Sequence, residues 1–281
     1  MTSLAFRIIN VFTQGEDKFT GNPLCVFEDG STLDDASMQS LARQFNLSET
    51  TFILPSTQAN ARVRIFTPDF EMPFAGHPTL GTAFVCRALK RGGDSLTLEM
   101  RAGIIPVSAV GNRWTLQANL ATWREVRLPR HALAAALRLD DDDIGDAPLW
   151  VKAGKEQLVI PLRSEAAVRR ARPMIEQLAA ITNEEGQSNA YVFAETAARR
   201  LLARYFFPSN GGILEDPATG SATANLGGWM IATGRGLPQR FQISQGEYAC
   251  RPSTLFLDVT EDRRILVSGD AIEIGRGSIV L

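Results

Sequence analysis

Apolar and polar positions alternate along most of this chain, and the places where alternation stops recur in a fixed order. "RIFTPDFEMPFAGHPTLGTA", from Arg64, and "RYFFPSNGGILEDPATGSA", from Arg204, each read as an apolar strand closed by Pro68 or Pro208. A glycine-containing or acidic loop follows in each, and then a helix start rich in small residues. Downstream, "EMRAGIIPVSAVGNRWTLQ" and "QISQGEYACRPSTLFLDV" each give a strand, a glycine turn and a second strand. Upstream, the helix-then-strand pattern "DASMQSLARQFNLSETTFIL" has a counterpart in "RPMIEQLAAITNEEGQSNAYVF". Three pairs in one order point to an internal duplication. Laying Gly81 on Gly220 puts Pro78 on Pro217 and His77 on Asp216, and a one-residue gap restores Arg64 to Arg204. The pattern therefore predicts two halves of about 120 to 150 residues, an ordinary domain size. Residues 1–120, completed by a last strand at about 272–281, form one half and residues 121–271 the other, with the boundary near "LATWREVRLPRHALAAALRLDDDDIGDAP".

After Asp216 the chain reads "PATGSATANLGGWMIATGRG", with no charged side chain between Pro217 and Gly234. A helix of that composition must be surrounded by protein, so it and its counterpart "PTLGTAFVCRALKRGG" are each expected at the centre of their half. Proline is expected at the first helical position, with Asp216 as an N-cap and Lys90 and Arg91 near the first helix's C-terminus. A helix start leaves backbone N–H groups unpaired and carries partial positive charge, and small residues such as Gly220, Ser221 and Ala222 let a ligand approach. Two such starts meeting at an inter-domain cleft would bracket a small carboxylate. His77 and Asp216 are then either helix caps or catalytic groups. Glu49, in "NLSETTFIL", opens an apolar strand where a carboxylate is partly buried, and desolvation raises a carboxyl pKa toward the range useful at neutral pH. A capping or salt-bridged Glu49 after Ser48 is the alternative. Asn22, in "FTGNPLCVF", lines the cleft or makes the turn.

Composition narrows the partner. Of 281 residues, 44% are hydrophobic and 21% charged, as in soluble globular proteins. A net charge of -2 gives no electrostatic reason to expect nucleic acid or an anionic membrane, which leaves a small molecule. No apolar run reaches the roughly 20 residues of a membrane-spanning helix, and "MTSLAFRIINVF" lacks the features of a secretory signal, so a cytoplasmic protein is expected. Cys25, Cys86 and Cys250 are far apart and show no CxxC or Cys/His spacing, which argues against a disulfide framework or structural zinc. Two histidines in all exclude a His-rich metal site, and no nucleotide-binding glycine loop occurs. The acid run Asp140 to Asp143 reads as a solvated loop or helix start; it lacks the spaced ligands of a calcium loop.

"FTGNPLCVF", "SET" at 48–50, "RIFTPDFEMPFAGHPTLGTA" and "EDPATGSA" at 215–222 resemble, in that order and over essentially the whole chain, the PhzF-type isomerases of phenazine biosynthesis. The resemblance implies a diaminopimelate-epimerase-like α+β fold of two similar domains, each a curved, barrel-like mixed β-sheet around a central helix, with the active site between them. It implies Glu49 as the acid-base residue, with His77 and Asp216 binding substrate and moving protons. Ser48, Gly76, Gly220 and Ser221 carry over as lining residues. In the best-known members the reaction is a proton shift in trans-2,3-dihydro-3-hydroxyanthranilate without metal or organic cofactor, and those members are homodimers. The wider superfamily includes racemases and epimerases with two catalytic cysteines. Here the corresponding stations read "AGHP", with Ala75 in the first thiol's place, and "PATG", so the two-thiol mechanism is out. The expected activity is a cofactor-independent isomerase acting on a small carboxylic acid. An epimerase or racemase working with carboxyls, and a non-catalytic small-acid binder, are the rivals.

Overall fold

The alternating segments fold as strands that close on themselves. The computed structural model describes residues 3–209 and 211–281; Met1 and Thr2, at the start of the segment read for a secretory signal, and Asn210, inside the repeated loop, lie outside the described residues. The chain divides into two units, Met1–Gln117 with Ser268–Leu281, and Ala118–Val267.

The first unit runs β1 (Ser3–Val11), β2 (Asn22–Phe27), α1 (Asp35–Phe45), β3 (Glu49–Leu54), β4 (Ala61–Phe66), β5 (Glu71–Met72), α2 (Gly76–Ala88), β6 (Ser95–Met100), β7 (Gly103–Val110) and β8 (Arg113–Gln117). β1 pairs antiparallel with β2, β2 parallel with β3, β3 antiparallel with β4, and β4 parallel with β6. β6, β7 and β8 follow as an antiparallel meander. The chain's final strand, Ile265–Val280, pairs with both β8 and β1 and closes the ring. The result is an α+β fold in which eight strands form a mixed barrel, with β5 added as a short hairpin partner of β4. α2 packs against β1, β2, β3, β4, β6 and β8, so it fills the barrel. That explains its small residues: a Cβ on Gly81 would lie 2.6 Å from Leu24 Cδ2 and 2.9 Å from Val11 Cγ2. α1, capped by Asp34 through Ser37 N–H, covers a second core outside the barrel, where Phe27 and Phe52 stack at 4.8 Å.

The second unit runs β9 (Thr122–Glu125), α3 (Arg130–Leu137), β10 (Leu149–Lys152), β11 (Glu156–Pro161), α4 (Glu165–Arg170), α5 (Ile175–Ala179), β12 (Ala190–Ala197), β13 (Arg200–Ser209), β14 (Gly212–Asp216), α6 (Gly220–Ala232), β15 (Gln239–Gln245) and β16 (Ser253–Val259), leading into β17 (Ile265–Val280). From β11 to β16 the pairings are parallel, antiparallel, parallel, antiparallel, the same series as from β2 to β7. β14 pairs with β13 as β5 does with β4. α6 is buried against β9, β10, β11 and β16, as its chargeless sequence requires. α3, α4 and α5 pack over an outer apolar cluster that includes Leu133, Leu137, Val168 and Leu178. The acid run forms a turn of 3-10 helix, Asp141–Asp143, capped by Asp140, and Asp143 pairs with Arg170 at 2.7 Å. Among the described residues no helix is long and apolar enough to cross a membrane.

Strand register corrects how the two halves align. Phe66 faces Glu71 and Ile65 faces Met72 in one unit, while Phe206 faces Glu215 and Tyr205 faces Asp216 in the other. α2 and α6 begin at Gly76 and Gly220, the same distance beyond those glutamates. "EMPFAGH" therefore lies on "EDPATGS" without a gap. Met72 matches Asp216, Gly76 matches Gly220 and His77 matches Ser221, so the expectation that His77 lies on Asp216 was a slip along the sequence. Its cause is that Pro-x-x-Gly occurs twice in the first half, at 73–76 and at 78–81, and the sequence alignment took the second. The helix boundaries change with it. Asp216 ends β14 and is not an N-cap; Thr219 and Ala75 hold that position, neither with a side-chain capping bond. Pro217 precedes its helix, and Pro78 is the third residue of α2 rather than the first.

Candidate active site

In the first unit β2 and β3 are parallel, so both begin at the same end of the barrel, and Glu49, the first residue of β3, sits in register with Leu24. α2 brings His77 to Glu49 in its first turn. His77 Nδ1 lies 3.3 Å from Glu49 Oε2, with the side chains 5% and 16% exposed. Burial pushes the imidazole pKa down to about 3, against the opposing effect of a hydrogen bond with the Pro23 backbone. His77 is therefore neutral at physiological pH, with one nitrogen carrying hydrogen and the other able to accept one. Its Nε2 is buried with no hydrogen-bond partner among the described residues. Asn22 is buried at the start of β2, Gly76 is buried at the start of α2, and Ser48 is exposed just ahead of β3.

The second unit assembles a different set. Asp216, half-buried at the end of β14, accepts a hydrogen bond from the Thr219 hydroxyl on Oδ2. Gln245, at the end of β15, locks this arrangement: its Nε2 donates to Thr219 Oγ1 and to the Asp216 carbonyl, each at 2.9 Å. Ser221, the second residue of α6 after the buried Gly220, accepts a hydrogen bond from Gln157 Nε2 at 3.1 Å. The same nitrogen donates to Tyr205 Oη at 3.1 Å. Burial, with the nearby charge of Asp216, pushes the Tyr205 phenol up, so it stays protonated. Gln157, Tyr205, Thr219, Asn225 and Gln245 escaped the sequence reasoning. Their one signal was chemical: amides and hydroxyls inside otherwise apolar runs, such as "EQLVIP" and "GSATANLGG".

The shared frame carries unequal chemistry. Thr50 and Ala190 face Phe66 and Phe206 respectively, so Glu49 of the first unit is matched by Asn189 of the second. Asn189 is spent on structure, its Oδ1 accepting from Leu158 N–H at 3.1 Å. What both units keep is a brace beneath the helix start. Arg64 clasps Glu71 with two hydrogen bonds of 2.8 and 2.7 Å, and Arg204 clasps Glu215 with two of 3.0 and 2.7 Å. Planar forks of this kind fix the hairpin residue next to Met72 or Asp216.

A mixed barrel closed around a buried helix, with polar groups gathered at the helix start, places the chain in the diaminopimelate-epimerase-like superfamily. The model of the family described as phenazine biosynthesis-like protein matches residues 9–277, and the chain belongs to that family, the PhzC/PhzF proteins. It is 38% identical to an uncharacterized isomerase of Pasteurella multocida, over 99% of this chain and 95% of that one. It is 35% identical to the trans-2,3-dihydro-3-hydroxyanthranilate isomerase of Pseudomonas aeruginosa, over 89% and 88%. The crystal structure of a PhzF-family phenazine biosynthesis protein from Bacillus anthracis has the same fold, with a TM-score of 0.89 at 22% identity, covering 100% of both chains.

Proposed function

We propose that this protein is a cofactor-independent isomerase that shifts a proton on a small carboxylic acid, as its family membership supports. The observation that carries the proposal is the pairing of a half-buried Glu49 with a buried, neutral His77 at 3.3 Å. Glu49, as carboxylate, takes a proton from a substrate carbon and returns it elsewhere on the same face. His77 holds or relays the accompanying proton, because a neutral imidazole donates at one nitrogen and accepts at the other. Asp216, oriented by Thr219 and Gln245, is the further acid-base group, and the starts of α2 and α6 receive the substrate carboxylate at Gly76 and at Gly220 and Ser221. In this reading the two units are copies of one ancestral domain serving one substrate in the cleft between domains. The matching series of strand pairings supports it. A homodimer belongs to the same proposal, carried by the resemblance alone, and so does a cytoplasmic location, which is an expectation from the sequence.

The test is incorporation of solvent deuterium into a panel of cyclic unsaturated carboxylic acids, followed by NMR. The unaltered protein exchanges at least one of them, and Glu49→Gln keeps the fold and binding but loses exchange. Exchange at the native rate by Glu49→Gln removes Glu49 from its role. Binding without exchange by the unaltered protein makes it a small-acid binder instead. A shifted double bond in the product marks an isomerase, and an inverted stereocentre an epimerase.

A further inference from the structure

The buried amides of the second unit determine which way its hydroxyl groups point. Ala153 N–H is a donor only, and it meets Asn225 Oδ1 at 2.7 Å. The Lys155 carbonyl is an acceptor only, and it meets Asn225 Nδ2 at 2.9 Å. Backbone groups thus fix the Asn225 amide in one orientation, with Nδ2 also 2.7 Å from Gln157 Oε1. That contact fixes Gln157 in turn, and sends its two Nε2 hydrogens to Ser221 Oγ and Tyr205 Oη. Each hydroxyl oxygen receives an N–H, which leaves its own hydrogen to be donated elsewhere.

The first unit shows that the barrel does not need this chain of amides. By the same register, Gln157 corresponds to Leu24, and α2 and α6, matched from Gly76 and Gly220, set Asn225 against Gly81. There the pair is apolar and packed in direct contact. Buried polar networks carry desolvation costs that an apolar pair of similar volume avoids, so an interior amide pair at one of two matched stations calls for a role beyond packing.

We propose that Gln157, held by Asn225, is a positioning residue that makes Ser221 a hydrogen-bond donor toward the substrate carboxylate, with Tyr205 as a second donor behind it. This rests on the carboxylic-acid reading above. The orientation set at Ala153 and Lys155 passes through two amides to the hydroxyl at the start of α6, which therefore meets an anion with its hydrogen rather than its lone pairs. A donor aimed in advance costs no reorganisation when the anion arrives.

Benzoate and its neutral isostere benzamide probe this directly, titrated against the full-length protein and followed by the amide signals of Gly220 and Ser221. The unaltered protein prefers benzoate. Gln157→Glu places an acceptor where Nε2 was, turns the Ser221 hydroxyl inward, and lowers that preference about ten-fold or more. The double variant Gln157→Leu with Asn225→Gly installs the apolar pair of the first unit, keeps the fold, and gives an intermediate preference because the hydroxyl rotates freely. No benzoate preference in the unaltered protein, or a preference unchanged in the folded double variant, overturns the proposal. Glu49→Gln separates it from the catalytic reading: loss of deuterium exchange with the benzoate preference intact supports both. Exchange retained in Glu49→Gln, with the same dependence on Gln157, removes Glu49 and leaves the donor assignment standing.

Discussion

A neutral histidine inside the barrel makes the protein measurably acid-sensitive. His77 has its pKa lowered from the ordinary 6.5 to about 3, so as pH falls the unfolded chain takes up its proton first. The stability that comes from keeping His77 neutral is fully present above pH 6.5 and is lost progressively as pH drops toward 3. Between pH 7.5 and pH 5.0 that loss amounts to about 2 kcal/mol, and any folded pKa at or below about 4 gives nearly the same figure. Urea unfolding of the native protein and of His77→Gln at both pH values isolates it. Glutamine does not titrate, and the acidity of groups that do not touch position 77 cancels when the two differences are subtracted; Glu49, in contact with it, is removed from the comparison by making both measurements in a Glu49→Gln background as well. The native protein is expected to lose about 2 kcal/mol more than the variant between the two conditions. Equal losses would show that His77 is solvated or charged in the folded state, and would remove the neutral proton carrier from the proposed mechanism. With the pKa near 3, a pH–rate profile carries no limb from His77 between pH 5 and 8.

Further outcomes follow from burial. Arg204→Met strands Glu215 and the Val168 and Ala171 carbonyls and costs about 3–5 kcal/mol in urea unfolding, whereas Asp35→Ala, which removes an exposed partner of Arg64, costs less than about 1 kcal/mol; equal costs would refute the distinction between buried and exposed pairs. Gly81→Ala drives a Cβ into Leu24 and destabilises by about 1–3 kcal/mol, and adding Leu24→Ala is expected to restore part of the loss. Burial pushes the Cys86 thiol up to about 12 and raises that of Cys25 as well, while Cys250 is exposed. Iodoacetamide should therefore label Cys250 alone in the native protein and all three cysteines in denaturant, counted by mass spectrometry.

How much was legible in the sequence differs from element to element. The strand–turn–strand pairs and the two buried helices were readable because alternation and the absence of charge are local properties. Glu49 and His77 were nominated by motif, and the fold sets them 3.3 Å apart. Asp216 was given the wrong structural footing, as a helix cap and as the counterpart of His77: it ends β14 and matches Met72. The chain itself determined which segments are strands, which helices must be interior, and that one order of elements occurs twice. Only the tertiary structure decided the register, because two Pro-x-x-Gly runs satisfy the same local pattern and the strand pairing that sets Phe66 opposite Glu71 and Phe206 opposite Glu215 selects between them. Only the tertiary structure, too, could join Gln157 to Ser221 and Asn225, 64 and 68 residues away. A hydrogen-bonded amide looks in sequence like any polar residue in an apolar run; its meaning is set by the donor or acceptor that folding places across from it.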